Sequence, residues 1–223
     1  MSQLFDTMPD PYEQWFHTPI GAVVKQVELE LVMRLVQPQH GEHILDAGCG
    51  SGIFTAPLVD AGARITGIDV SLPMLEWAEK RLPEQTFLAA DMCDLPFEDA
   101  SFDKSVSITA LEFIEDAQQA MDELWRVTKP GGLIVVATLN GLSPWAARRR
   151  KKAAADKDSV FNHAWFRRPE DLAALVKVPG EIHTSVHFDK KAQPDDARRT
   201  EQQGREQNLD TGAFLIGCWQ KSI

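Results

Sequence analysis

The feature that most constrains this chain is HILDAGCGSG, residues 43–52. A short apolar run ends on Asp46, and Gly48, Gly50 and Gly52 then take alternate positions. The stretch from Ile53 to Asp60 reads as a helix closed by Gly62, so the whole is a strand, glycine loop and helix in sequence. Glycine in such a loop lets backbone approach a ligand closely, because no Cβ stands in the way.

The alternation continues. Arg64 to Val70 reads as a second strand, Leu72 to Leu82 as a helix and Thr86 to Ala90 as a third strand. Three such units in succession predict a parallel sheet with helices on both faces. A fourth strand follows from Phe102 to Thr109, then a helix from about Asp116 to Val127, a turn at KPGG and a strand from Leu133 to Thr138. Upstream, apolar residues at three- and four-residue spacing predict a helix from Ala22 to Val36. Downstream, the pattern predicts a helix from Pro169 to Val178 and strands at Glu181 to Phe188 and Ala213 to Gln220. The polar connector between those last two reads as a mobile loop.

Composition narrows the function. With 223 residues, 43% of them hydrophobic, the chain can bury a full core. A formal net charge of −10 opposes broad adhesion to polyanions, which depends on Lys and Arg neutralising phosphates, so a nucleic-acid partner is not expected. The three cysteines, Cys49, Cys93 and Cys218, lack the close pairing of zinc or disulfide frameworks, and a reducing cytoplasm is the expected setting. The first residues lack a basic start followed by an apolar run, so no signal peptide is expected. No transmembrane segment is expected either, and no cluster of acids and histidines suggests a metal.

The glycine loop is not the dinucleotide fingerprint, because the position that would hold its third glycine is Ile53. Together with ITGIDVS, where Asp69 lies 21 positions after Gly48, with FLAADMCDLPF, and with SVSITALEFIED followed by ELWRVTKPGGLIVVATLN, it resembles the Rossmann-like S-adenosylmethionine-dependent methyltransferases. The likeness is to their small-molecule branch, the type 11 domain, which includes quinone C-methyltransferases and carrier-protein-linked O-methyltransferases, and it spans about Gly41 to Asn140. It implies an α/β fold with a seven-stranded, mostly parallel sheet, helices on both faces and the last strand antiparallel. S-adenosylmethionine is the implied cofactor and S-adenosylhomocysteine the product. The implied partner is a small-molecule methyl acceptor, and a homodimer is compatible with the sequence.

The resemblance also assigns residues. Asp46, Gly48, Cys49, Gly50 and Gly52 would enclose the methionine portion; Asp69, followed by Val70, would accept the ribose hydroxyls; Asp91 and Met92 would meet the adenine. Thr109 would line the crevice, and Tyr12, in the aromatic segment PYEQWFHTPIG, would belong to a lid over it. Residues 1–40 would then form an N-terminal helical lid and 41–223 the cofactor-binding domain, with 141–168 a substrate-side insertion.

Candidate catalytic groups are Glu112, just past the fourth strand, and His163, whose ordinary pKa suits a general base, although an unpaired histidine is more often structural. The basic run from Arg148 to Lys152 reads either as a grip for a phosphate, a carrier protein or an anionic lipid surface, or as a solvated helix face. Two other classes compete: a non-catalytic protein that binds S-adenosylmethionine as a sensor or scaffold, and a nicotinamide-dependent oxidoreductase, against which Ile53 and KPGG weigh. An amine methyltransferase acting on nucleic-acid bases would carry Asn/Asp-Pro-Pro-aromatic where this chain has TALEFI.

Overall fold

The computed structural model describes residues 4–6 and 9–223. Seven strands form one sheet: β1 (His43–Ala47), β2 (Arg64–Asp69), β3 (Thr86–Ala89), β4 (Phe102–Ile108), β5 (Thr128–Leu139), β6 (Glu181–Ser185) and β7 (Phe214–Gln220). Their order is β3-β2-β1-β4-β5-β7-β6. β7 pairs antiparallel with both β5 and β6, and the other pairings are parallel. Asp46 stands opposite Gly67 on β2 and Val106 on β4, so the carboxyl ends of the three central strands finish level. That shared rim is the usual ligand crevice of an open α/β sheet.

Helices cover both faces. On one side α2 (Pro19–Val36), α3 (Ala56–Asp60) and α8 (Pro194–Glu206) pack with Ile44, Val106 and Val135 of the sheet. On the other, α5 (Ala117–Val127) sends Ala120, Met121, Leu124 and Val127 against Leu45, Ile134 and Val136. Each large apolar side chain buried in this way contributes about 1.5–3 kcal/mol. The remaining helices are α1 (Pro9–His17), α4 (Leu72–Arg81), α6 (Pro144–Ala155) and α7 (Pro169–Ala173).

The structure departs from the sequence expectation in five places. The polar connector is not a loop: Pro194 to Glu206 form α8, with Asp195 and Asp196 in its first turn. Ala197, Glu201 and Gly204 make its buried stripe, and Arg205 ties it to Glu201 and, on α2, to Glu30. KPGG is not a free turn, because β5 already starts at Thr128; its residues form an irregularity where the register slips between Phe102 and Lys104, with Gly131 at φ +76°. Helix α7 ends at Ala173, and Leu175 and Val176 tighten into turns bonded three residues back. β6 ends at Ser185 because Val186 takes a left-handed backbone, φ +64°, that breaks the ladder. Finally, α2 starts at Pro19, ahead of the expected Ala22, capped by Thr18, and its buried side belongs to the core.

Candidate active site

The crevice is built from the ends of β1, β2 and β4. Asp46, 2% exposed, closes β1 and accepts a hydrogen bond from the Thr55 hydroxyl at 2.6 Å. Burial pushes its carboxyl up to about 6; the Thr55 bond opposes that and the nearby Asp69 charge adds to it. Asp69 closes β2. Its Oδ2 accepts the Gly50 N–H and its Oδ1 the Ser71 N–H, each at 2.9 Å. Burial raises its carboxyl, and the backbone bonds hold it back. Each oxygen keeps a further lone pair, so the carboxylate can still accept two hydroxyls.

The glycine loop divides its work. Gly48 and Cys49 both donate their N–H to Ile68 O, at 2.8 and 2.9 Å, which pins the loop to β2. Gly48, at φ +76°, lies so close to Ala110 that a Cβ would come within 2.3 Å of that side chain. Gly50, at φ +54°, is the opposite case, since its Cβ would meet nothing within 4 Å. Space for a ligand therefore opens at Gly50. The buried Cys49 thiol, raised by burial, sits against Gly67, and Gly52 backs onto Ala78 of α4.

Further along the rim, Met92 is buried beside Gly48 and receives the Ser107 hydroxyl at 3.8 Å, whereas Asp91 is exposed and holds the Cys93 N–H at 2.9 Å. Val70 is half-buried between Asp69 and Ser71. At the end of β4, Thr109 adopts φ +53°, a conformation that costs a β-branched residue about 1–3 kcal/mol, and its N–H is fixed on Ala137 O at 2.9 Å. Strain of this kind gathers where a site needs a fixed geometry.

The N-terminal elements cover this rim. Glu13 of α1 accepts both the Ser51 hydroxyl of the glycine loop and the Arg81 guanidinium of α4, the latter at 2.7 Å. Ahead of α1, Asp6 accepts the Ser71 hydroxyl at 2.8 Å, and Phe5 packs edge-on against Phe113 with centroids 4.8 Å apart. Tyr12 stacks edge-on with Phe16. Burial, then the charges of Glu28, Glu112 and Glu13, hold its phenol protonated far above the usual range, while the Thr109 hydroxyl beside it pulls the other way.

A second group of polar side chains lies next to Tyr12. Glu112, 1% exposed, accepts the Thr138 hydroxyl at 3.2 Å, and burial lifts its carboxyl to about 7 against the pull of Thr138, Arg149 and Arg167. Glu28 of α2, 9% exposed, is lifted by burial to about 8, against the pull of Arg149. The backbone of Glu112 is clamped by the Trp165 N–H on its carbonyl at 2.7 Å, and Arg167 holds Leu111 O at 2.8 Å. The structure thus brings together Asp46, Gly48, Gly50, Asp69, Met92, Thr109, Tyr12 and Glu112. His163 stands apart: it is exposed at the end of a 3-10 turn and makes no side-chain hydrogen bond among the described residues.

Sequence reasoning missed Glu13, Ser51, Arg81 and Glu28. Glu28 did carry a signal, since it breaks the apolar stripe of Val24, Val27, Leu31 and Val32 on the buried side of α2. The other three are joined only by tertiary packing. Among the described residues no group of acids, histidines or cysteines could hold a metal, and no helix is long and apolar enough to cross a membrane. A concavity of about 960 Å³ lies at the opposite end of the sheet beside Gln37, Lys104 and Gly131, and its lysines are already paired, Lys104 with Glu42 and Lys129 with Asp103.

Comparison with known proteins finds methyltransferases. Residues 45–136 match the family described as methyltransferase domain. A malonyl-[acyl-carrier protein] O-methyltransferase of Pseudescherichia vulneris is 37% identical over 118 residues, covering 53% of this chain and 47% of that protein. A demethylmenaquinone methyltransferase of Paenarthrobacter aurescens is 37% identical over 107 residues, covering 48% and 42%. The matched stretch spans about half the length of each relative. Among solved structures, an S-adenosylmethionine-dependent methyltransferase from Thermotoga maritima superposes with a TM-score of 0.77, 22% identity and 99% of both chains covered, which shows the shared fold.

Proposed function

We propose that this chain, whose residues 45–136 match the methyltransferase-domain family, transfers the methyl group of S-adenosylmethionine to a small-molecule acceptor. The observation that carries the reading is the pair formed by Gly50 and Asp69. The loop opens toward free space at Gly50, and the Gly50 N–H holds Asp69 with a lone pair to spare on each carboxylate oxygen. The residues present fit the cofactor. Gly48, Gly50 and the buried Asp46 would border its methionine portion, Asp69 would take the ribose hydroxyls, and Met92 and Asp91 would border the adenine.

When bound, the cofactor supplies an activated methyl on a sulfonium, which an acceptor displaces in line. The chain's own part is to align the acceptor and to exclude water. Tyr12, Phe5 and the Glu13 contacts with Ser51 and Arg81 close the rim over the reaction. Glu112, with a carboxyl near 7, is placed to receive a proton at its Oε atoms when the acceptor must lose one. His163 fits that task less well, being exposed and unsupported by neighbours. The acidic chain favours a small acceptor over nucleic acid.

Calorimetric titration with S-adenosylmethionine, S-adenosylhomocysteine and NAD tests the reading. Micromolar binding of the first two and none of NAD is expected. Absence of binding by both sulfur nucleosides overturns it, and binding without turnover on any acceptor would leave the sensor reading in its place.

A further inference from the structure

We infer that Arg149 is the anchor for a carboxylate on the methyl acceptor, an inference that rests on the crevice being the methyl-transfer site. Arg149 projects from α6, the element that carries the basic run, toward the same polar group as Glu112, Glu28 and Tyr12. Its Nη1 is sealed from solvent and has no hydrogen-bond partner among the described residues. Its guanidinium lies over two aromatic rings, 5.3 Å from the centroid of Trp145 and 5.3 Å from that of Phe161. A buried donor on a cation costs several kcal/mol when nothing satisfies it, so its persistence points to a ligand.

The local charges say what kind. Glu28 and Glu112 are near enough to influence Arg149, yet neither forms an ion pair or hydrogen bond with it. Burial raises both carboxyls, Glu28 to about 8 and Glu112 to about 7, which reduces the negative charge they set against Arg149 near neutral pH. Arg148, Lys152 and Lys190 add positive charge around it, with Lys190 over the Trp15 ring at 4.5 Å. The planar guanidinium offers two parallel donors that match the two oxygens of a carboxylate, and the flanking rings favour a flat group. The aromatic rings on either side, each 5.3 Å from the guanidinium, suit a planar carboxylate better than a tetrahedral phosphate.

The test uses the full chain, with and without saturating S-adenosylhomocysteine, titrated with butyrate and benzoate, their amides, and inorganic phosphate. At least one carboxylate should bind about tenfold more tightly than its amide and than phosphate. Arg149→Met should lose about tenfold of that affinity while binding the amide and S-adenosylhomocysteine as before, and Arg149→Lys should recover part of it. Removing an unsatisfied charge should leave the melting temperature of Arg149→Met unchanged or higher. Unchanged carboxylate affinity in Arg149→Met, preference for phosphate, or no carboxylate binding to a protein that binds S-adenosylhomocysteine each overturns the proposal. A lowered melting temperature with no effect on binding does so too, by making Arg149 structural. If S-adenosylhomocysteine fails to bind while carboxylate binding still depends on Arg149, the cofactor reading fails and the anion site stands.

Discussion

A single methyl group separates two outcomes at Gly48 and Gly50. Both residues have positive φ, so alanine at either costs about 1 kcal/mol of backbone strain. At Gly48 the added Cβ also collides with Ala110, and Gly48→Ala should destabilise the fold by about 2–4 kcal/mol, read as a fall in melting temperature. At Gly50 the Cβ enters open space, so Gly50→Ala should fold nearly as well as the parent yet bind S-adenosylhomocysteine at least about tenfold more weakly; retained affinity would remove the loop from the cofactor site. Glu28 provides a pH test. Its carboxyl rises from 4.5 to about 8 on folding, with Arg149 of α6, Glu112 and Glu201 of α8 as its charged neighbours. A raised carboxyl binds a proton in the fold that the unfolded chain releases, so its stabilising effect is full below 4.5 and is lost as pH rises through about 8. Glu28→Gln should therefore melt higher than the parent at pH 8, by about 1 kcal/mol or more in stability, with the gap closing in acid. A melting curve that keeps the parent's pH slope would refute this.

At the scale of elements, the cover over the rim is held by few contacts. Glu13 joins α1 to both the glycine loop and α4, and a charged, partly buried link of this kind is worth about 1.5–3 kcal/mol. Glu13→Gln should speed amide hydrogen exchange within 9–17 and quicken release of S-adenosylhomocysteine, with little change in the exchange of β1 or β4. Exchange that stays at the parent rate would show that α1 is held by its apolar face alone. The central strands and the glycine loop were legible in the sequence because local pattern specifies them: β1, β2 and β4 each end within a residue of expectation. α8 was not, since only Ala197, Glu201 and Gly204 make its buried stripe and the rest of it is polar. The same limit applies to the site. Asp46, Asp69 and the glycines lie in one strand-and-loop pattern, while Glu13, Glu28 and Arg149 gain their roles from α1, α2 and α6 meeting over the rim, which no local spacing encodes. His163, chosen for its chemistry alone, lies on the surface.

At the scale of the whole molecule, the two ends of the sheet differ in kind. The carboxyl rim gathers buried carboxyls and an unsatisfied cation, whereas the hollow at the opposite end has its lysines paired. Arg205 spans the covering layer, bonding Glu201 within α8 and reaching Glu30 and Val27 O on α2. Arg205→Ala should lower stability by about 1 kcal/mol without altering cofactor affinity, and a loss of affinity would mean that the helical layer, and not only the rim, shapes the site. The order β5-β7-β6 has a consequence for how the chain is made. β7, at residues 214–220, is threaded between two strands synthesised well before it and pairs with β5 along Leu133–Leu139. Until it leaves the ribosome, the apolar run Ile134-Val135-Val136-Ala137 presents an unpaired edge of the kind that recruits other chains. From the completion of β5 to the arrival of β7 the nascent sheet is therefore a five-stranded platform with a sticky flank, dependent on speed or on a chaperone until that strand closes it.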